Sequence, residues 1–278
     1  MQSKNPVLSK PDAWLVPNQQ QAYGQQSGPY QQGYAGQAYP PPGQPYGDPN
    51  VSFQPGAPVA RMTIEDVVTK SAVTLGVVAV GAVLTFMFMP LSLLMPVWIV
   101  SGLVSFGVAL FASFRHKVNP GFVLLYAAVE GVFLGAISKA YEYLWSGIVP
   151  AALMSTLFAA AATLLAYRLF NIRVNNKFRK FVMIGTLAYA GLLLVNVILS
   201  FFGAGFLFNG GNLVLMLAVS ALGIGLAVFN LILDFDYIEQ GIAMGAEASE
   251  SWRAAFGLTV TLVWLYVEML RLLSYFRN

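Results

Sequence analysis

The sequence predicts an all-α membrane protein of seven transmembrane helices, with a cytoplasmic N-terminus and a disordered N-terminal tail. Three observations carry this. Of 278 residues, 57% are hydrophobic and only 10% charged, with a mean hydropathy of +0.66, outside the range of an ordinary soluble domain. Seven apolar runs follow one another, each near the roughly 20 residues that a helix needs to cross a bilayer. Lys and Arg gather in alternate loops between those runs, as the positive-inside rule requires.

Composition also excludes functions. There is no cysteine, so disulfides, thiolate metal sites and cysteine nucleophiles are ruled out. The single histidine, His116, lies within Arg115-His116-Lys117 and reads as an interfacial charge rather than a ligand. No enzyme chemistry, resident cofactor or nucleic-acid footprint follows from these residues, and the formal net charge is only +3. The first apolar run begins near residue 69, which argues against an N-terminal secretory signal peptide.

Taken in order, residues 1–60 are rich in Gln, Gly, Tyr and Pro, as in Tyr39-Pro40-Pro41-Pro42-Gly43. Such a segment cannot bury a core and is expected to be a solvated, disordered tail. The membrane domain is expected over 61–278, with a helix N-cap signal at Thr63-Ile64-Glu65-Asp66. Spans are expected near 69–89, 95–114, 121–143, 148–170, 181–203, 212–236 and 254–276. Pro90 and Pro96 bracket the first hairpin, Pro120 opens the third span, and Pro150 falls in the first turn of the fourth, where a missing N–H costs little.

Orientation follows from the loops. Arg61 and Lys70 precede the first span, Arg115 and Lys117 join the second to the third, and Arg168, Arg173, Lys177, Arg179 and Lys180 surround the fourth-to-fifth connection. These sides are expected to be cytoplasmic; Lys139 is the one exception in the alternate loops. Seven spans then leave the C-terminus outside, in a multi-pass protein of, most simply, a bacterial plasma membrane.

Carboxylates in such a chain are functional candidates by default. In Leu233-Asp234-Phe235-Asp236 the two acids point roughly 200° apart around a helix axis, so only one can face the bundle. Asp234 aligns with Asn230, Ala227 and Gly223 and is expected to be the buried, titratable acid. Asp236 aligns with Glu239 and Gln240 and is expected at a solvated, interfacial helix end. At ~1.5 Å rise per residue, Asp234 lies a few ångströms and Asn230 about 9 Å below the cytoplasmic edge. Glu130 lies about 15 Å deep and Asn196 and Glu268 about 20 Å, giving a second polar level near the midplane. Glu268 has Arg271 three residues on, an alternative structural explanation. Gly131 and Gly135 read as a helix-packing pair, and Asn196 with Ser200 as an interhelical hydrogen-bonding row.

The stretches Glu130-Gly131-Val132-Phe133-Leu134-Gly135, Leu233-Asp234-Phe235-Asp236-Tyr237-Ile238 and Trp264-Leu265-Tyr266-Val267-Glu268-Met269-Leu270-Arg271 resemble the bacterial branch of the Bax inhibitor-1 family, from Thr63 onward. The resemblance implies seven helices, a pH-sensitive calcium leak, and an acid ending the sixth helix, here Asp234, paired with an acid in the seventh. That second acid would fall at Thr261, so Asp234 is left to bond Thr261 or a base such as Arg168.

The leading expectation is a leak pathway for cations lined by Glu130, Asn196, Asn230, Asp234 and Glu268. Ca²⁺ is the candidate, bound only transiently, because oxygen-only groups suit a hard cation. The partners are then the bilayer and the cation. The alternative is a non-conducting scaffold that regulates a stress response or a membrane protease. An intramembrane aspartyl protease carries little weight, because the seventh span has no Asp.

Overall fold

The computed structural model describes residues 60–113, 118–204 and 212–277. Expectations for the 1–59 tail, for Arg115, His116 and Lys117, and for the 205–211 loop lie outside these residues. The chain divides into Met1–Gln54 and Pro55–Asn278, and every described helix belongs to the second unit.

Seven helices long and apolar enough to span a membrane follow in order. They are α1 (Ile64–Phe88), α2 (Leu94–Ser113), α3 (Pro120–Leu144), α4 (Ile148–Leu169), α5 (Asn176–Phe201), α6 (Leu213–Ala243) and α7 (Glu250–Tyr275). A short 3-10 turn, Leu91–Leu93, follows Pro90. The described residues contain no strand, only an isolated antiparallel bridge between Arg61 and Glu247.

Local chemistry sets the helix starts. Thr63 Oγ1 accepts from Asp66 N at 3.2 Å, Asn119 Oδ1 from Gly121 N at 2.9 Å, Asn175 Oδ1 from Phe178 N at 2.7 Å and Asn212 Oδ1 from Leu215 N at 3.2 Å. Each satisfies an N–H that has no partner inside its helix. The start of α4 is capped differently: Glu142, from the end of α3, accepts from Gly147 N and Val149 N. Lys139 Nζ donates to Met89 O at 2.7 Å, so this cation, which departs from the charge pattern of the loops, closes the end of α1.

The helices outrun their apolar cores. α1 and α5 each start five residues earlier than expected, α6 ends at Ala243 instead of 236, and α7 starts at Glu250 instead of 254. Hydropathy detects only the lipid-compatible stretch, whereas Glu65, Lys177, Glu239 and Gln240 continue the hydrogen-bonded helix into polar surroundings.

α7 is the central helix, packed against α1, α3, α4 and α6. In their most apolar windows, 50% of α3 and 44% of α7 are buried, against 17% of α2 and of α5, which are therefore peripheral. α1 crosses α3 at a row of small residues. A Cβ on Gly131 would lie 2.7 Å from Val78 O, and one on Gly135 would lie 2.6 Å from Thr85 Cβ, so backbone contact requires glycine at both. Just before α1, Met62 N donates to Ala246 O and Ala248 N to Ala60 O, both at 2.8 Å. This strap buries Met62 with Val67, Ile238 and Ala254. It lies with the helix ends that bear Arg168, Arg173, Lys177 and Lys180, and together they make up the basic end of the bundle.

Candidate functional site

Asp234 sits nine residues before Ala243, about 14 Å inside the basic end of α6 at 1.5 Å per residue. It is not at a helix terminus, as the apolar run suggested. Its Oδ2 accepts a 2.7 Å hydrogen bond from Thr261 Oγ1 of α7. Gly257, one turn before Thr261, makes room for the carboxylate: a Cβ there would lie 3.1 Å from Asp234 Oδ1. Asp234, Gly257 and Thr261 line a partly open cavity of about 270 Å³ with Ala109 and Ala112 of α2 and Arg253 of α7. Tyr237 also lines it and donates to Glu250 Oε2 at 2.6 Å, and Arg253 Nε lies 3.2 Å from the same oxygen. Among the described residues no ion pair joins Asp234 to Arg168.

The opposite face of α6 carries Asp236, only 6% exposed. Its Oδ2 accepts from Arg179 Nη2 at 3.0 Å and from Gln240 Nε2 at 2.8 Å. The expected solvated helix end is instead a buried contact between α5 and α6. The reason is the extra length of both helices, which brings the first turn of α5 against α6.

Asn230 does not join Asp234 at the cavity. Its Nδ2 donates to Thr186 Oγ1 of α5 at 2.7 Å and to Leu226 O at 2.8 Å. Gly223, at the far end of the same row, faces Tyr189 and Glu268 with no room for a Cβ, so the row divides between two neighbouring helices.

Glu130 is 4% exposed, and its Oε2 has no hydrogen-bond partner. Ser105 of α2 and Tyr126 adjoin the carboxylate. The Tyr126 ring packs edge-on against Phe256 at 4.8 Å, and Phe256 lines the Asp234 cavity. α3 and α7 run in parallel, as the Tyr126–Phe256 and Ser138–Tyr266 contacts show. Glu130, one turn beyond Tyr126, therefore lies level with the Gly257–Thr261 turn that faces Asp234. The two acids expected at different depths occupy one level, Glu130 on α3 and Asp234 on α6.

Glu268 is far from both. It lies 18 residues into α7, about 27 Å from its start, and is 1% exposed. Arg271 Nη1 reaches its two oxygens at 2.8 and 2.9 Å, Tyr189 donates at 2.8 Å and Trp264 Nε1 at 3.3 Å. This satisfied ion pair ties α5 to α7. Asn196 is 3% exposed, and its carbonyl accepts from Ser200 Oγ at 2.7 Å.

Of the two partners that the sequence left open for Asp234, Thr261 and Arg168, the structure has Thr261; Tyr189, Gly257, the cavity and the role of Arg179 as partner of Asp236 were not read from the sequence. A mid-span tyrosine hydroxyl, which needs a partner in lipid, was the available signal for Tyr189.

Among the described residues no three acids or histidines cluster to hold a metal. A family model described as Bax inhibitor 1 like matches residues 5–278. The chain belongs to that family. The match to the Bax inhibitor-1-like model starts well before Thr63 and takes in the tail, which the motifs alone left out. A search of curated proteins returned no match. Like its family, the chain is a multi-pass membrane protein.

Proposed function

We propose that this Bax inhibitor-1-like protein forms a pH-sensitive cation leak, with Ca²⁺ the candidate ion, in a bacterial plasma membrane with the basic end facing the cytoplasm. The observation that carries the reading is Asp234, a carboxylate with one oxygen held by Thr261 in a partly open cavity that Val118 and Arg253 also line. A cation entering there meets one carboxylate, the Thr261 and Tyr237 hydroxyls and the Arg253 guanidinium, too few oxygens for a resident Ca²⁺, so it keeps most of its water. Glu130, level with Asp234 and holding an unpartnered oxygen, is the second acid on the route. Beyond Thr261 the bundle is shut by buried Val263, Leu265 and Leu270 and by the Glu268–Arg271 pair, as in a closed state. Protonation of Asp234 removes the charge that attracts the cation, which links flux to pH.

Purified protein in liposomes, loaded in turn with Ca²⁺, Na⁺ and K⁺ across a pH series, tests this. The leak reading requires flux above that of empty vesicles, and a profile that changes in Asp234→Asn. Absence of flux at every pH would favour the scaffold reading, which the satisfied Glu268–Arg271 and Asp236–Arg179 pairs also fit.

A further inference from the structure

At the basic end, charge is divided unevenly. Near the strap, Lys70 pairs with Asp66 at 2.7 Å and Arg253 with Glu250 at 3.2 Å. Around the α4–α5 turn, Arg168, Arg173, Lys177, Arg179 and Lys180 fall within 13 positions that contain no acid, and all five are exposed. Arg179 is neutralised by Asp236. The other acid of the adjoining α6 face, Glu239, accepts from Tyr167 at 2.6 Å. Arg168, Arg173, Lys177 and Lys180 meet no carboxylate within ion-pair distance among the described residues.

Geometry gathers them. Asn171, with φ 47°, turns the chain sharply after α4, so that Ile172 N bonds back to Tyr167 O at 3.2 Å. Asn175 then caps α5 at once. Lys177 and Lys180 are three residues apart and share a helix face, turned from the one that gives Arg179 to Asp236. Leu169, Phe170 and Phe181, interleaved with these cations, are exposed large apolar side chains beside two lipid-facing helices. Cations and aromatics so placed sit at the headgroup level of a bilayer, with apolar parts toward the acyl chains.

We propose that Arg168, Arg173, Lys177 and Lys180 form a binding site for the phosphate of an anionic phospholipid headgroup. The apolar side chains select the lipid over a soluble phosphate, because they need an acyl chain to cover them.

The test uses full-length protein in mild detergent, given equal amounts of phosphatidylglycerol and phosphatidylcholine of matched chains, with bound lipid counted by native mass spectrometry. Phosphatidylglycerol should be retained over phosphatidylcholine by about fivefold or more, the scale that one basic residue contributes at an anionic surface. The combined variant Arg168→Gln/Arg173→Gln/Lys177→Gln/Lys180→Gln should lose that excess. If this variant inserts wrongly, Arg173→Gln and Lys177→Gln alone should each lower the excess, while Arg173→Lys keeps it. Equal retention of the two lipids by wild type overturns the proposal, as does an undiminished excess in the neutralised variants. Displacement of the lipid by millimolar inorganic phosphate would also overturn it, in favour of a soluble anion, and displacement by a short oligonucleotide would do so in favour of nucleic acid.

Discussion

Thr261 donates its hydroxyl hydrogen to Asp234 across the α6–α7 interface, at 2.7 Å, and Gly257 one turn earlier leaves the other carboxylate oxygen its space. Asp236, two residues on, faces α5 and Arg179. The two acids should therefore separate in experiment. Asp234→Asn should change the pH profile of flux in liposomes. Asp236→Asn should leave that profile in place and cost about 1 kcal/mol of stability in detergent unfolding, because half-exposed Arg179 can turn to water. A profile altered more by the Asp236 variant would refute the assignment of faces.

Glu130 tests the route beyond the cavity. Glu130→Gln keeps size and hydrogen-bonding capacity while removing charge, so cation flux should fall with thermal unfolding little changed. Equal flux in variant and wild type would return the residue to packing between α2 and α3.

The Glu268–Arg271 pair is expected to act through stability. Glu268→Gln leaves a 15%-exposed arginine side chain without its counter-charge and should destabilise by about 3–5 kcal/mol. Adding Arg271→Met should recover much of that loss, and the double variant's ion preference should match wild type. No recovery in the double variant would mean that the carboxylate matters beyond the pair.

Gly135→Ala places a methyl group against Ala82 O and Thr85 at the α1–α3 crossing. A loss of about 1–3 kcal/mol is expected for overpacking of this kind. Unchanged unfolding would show that the crossing is looser than its geometry.

Truncation separates tail from strap. Removing residues 1–55 should leave insertion and thermal stability unchanged, because it spares the Met62–Ala246 and Ala60–Ala248 hydrogen bonds. Removing residues 1–62 should lower stability, since Val67, Ile238 and Ala254 lose a buried neighbour. Equal behaviour of the two truncations would deny the strap a structural role.

Composition and periodicity carried the seven helices, the Thr63 cap, and the reading of Gly131 and Gly135 as packing residues, because each is a local property. The family resemblance implied an acid opposite Asp234 and left Thr261 or Arg168 as its partner here; the geometry has Thr261. What stayed hidden is relational. The exposure of Asp236 depended on where α5 begins, and the common level of Glu130 and Asp234 on the register of α3 and α6 against α7. Neither quantity is written in a hydropathy profile, because polar residues at helix ends extend a helix without extending its apolar run.

The strap sets a timetable for the ribosome. Lys70 Nζ donates to Ala248 O, 178 positions further along, beside the bridge from Arg61 to Glu247. At about 5–20 residues per second, roughly 10–35 s of synthesis separate emergence of these partners. Helix α1 is thus left unfastened at its N-terminal end until Ala248 has been translated, and through that interval its polar first turn lacks the partners that later hold it.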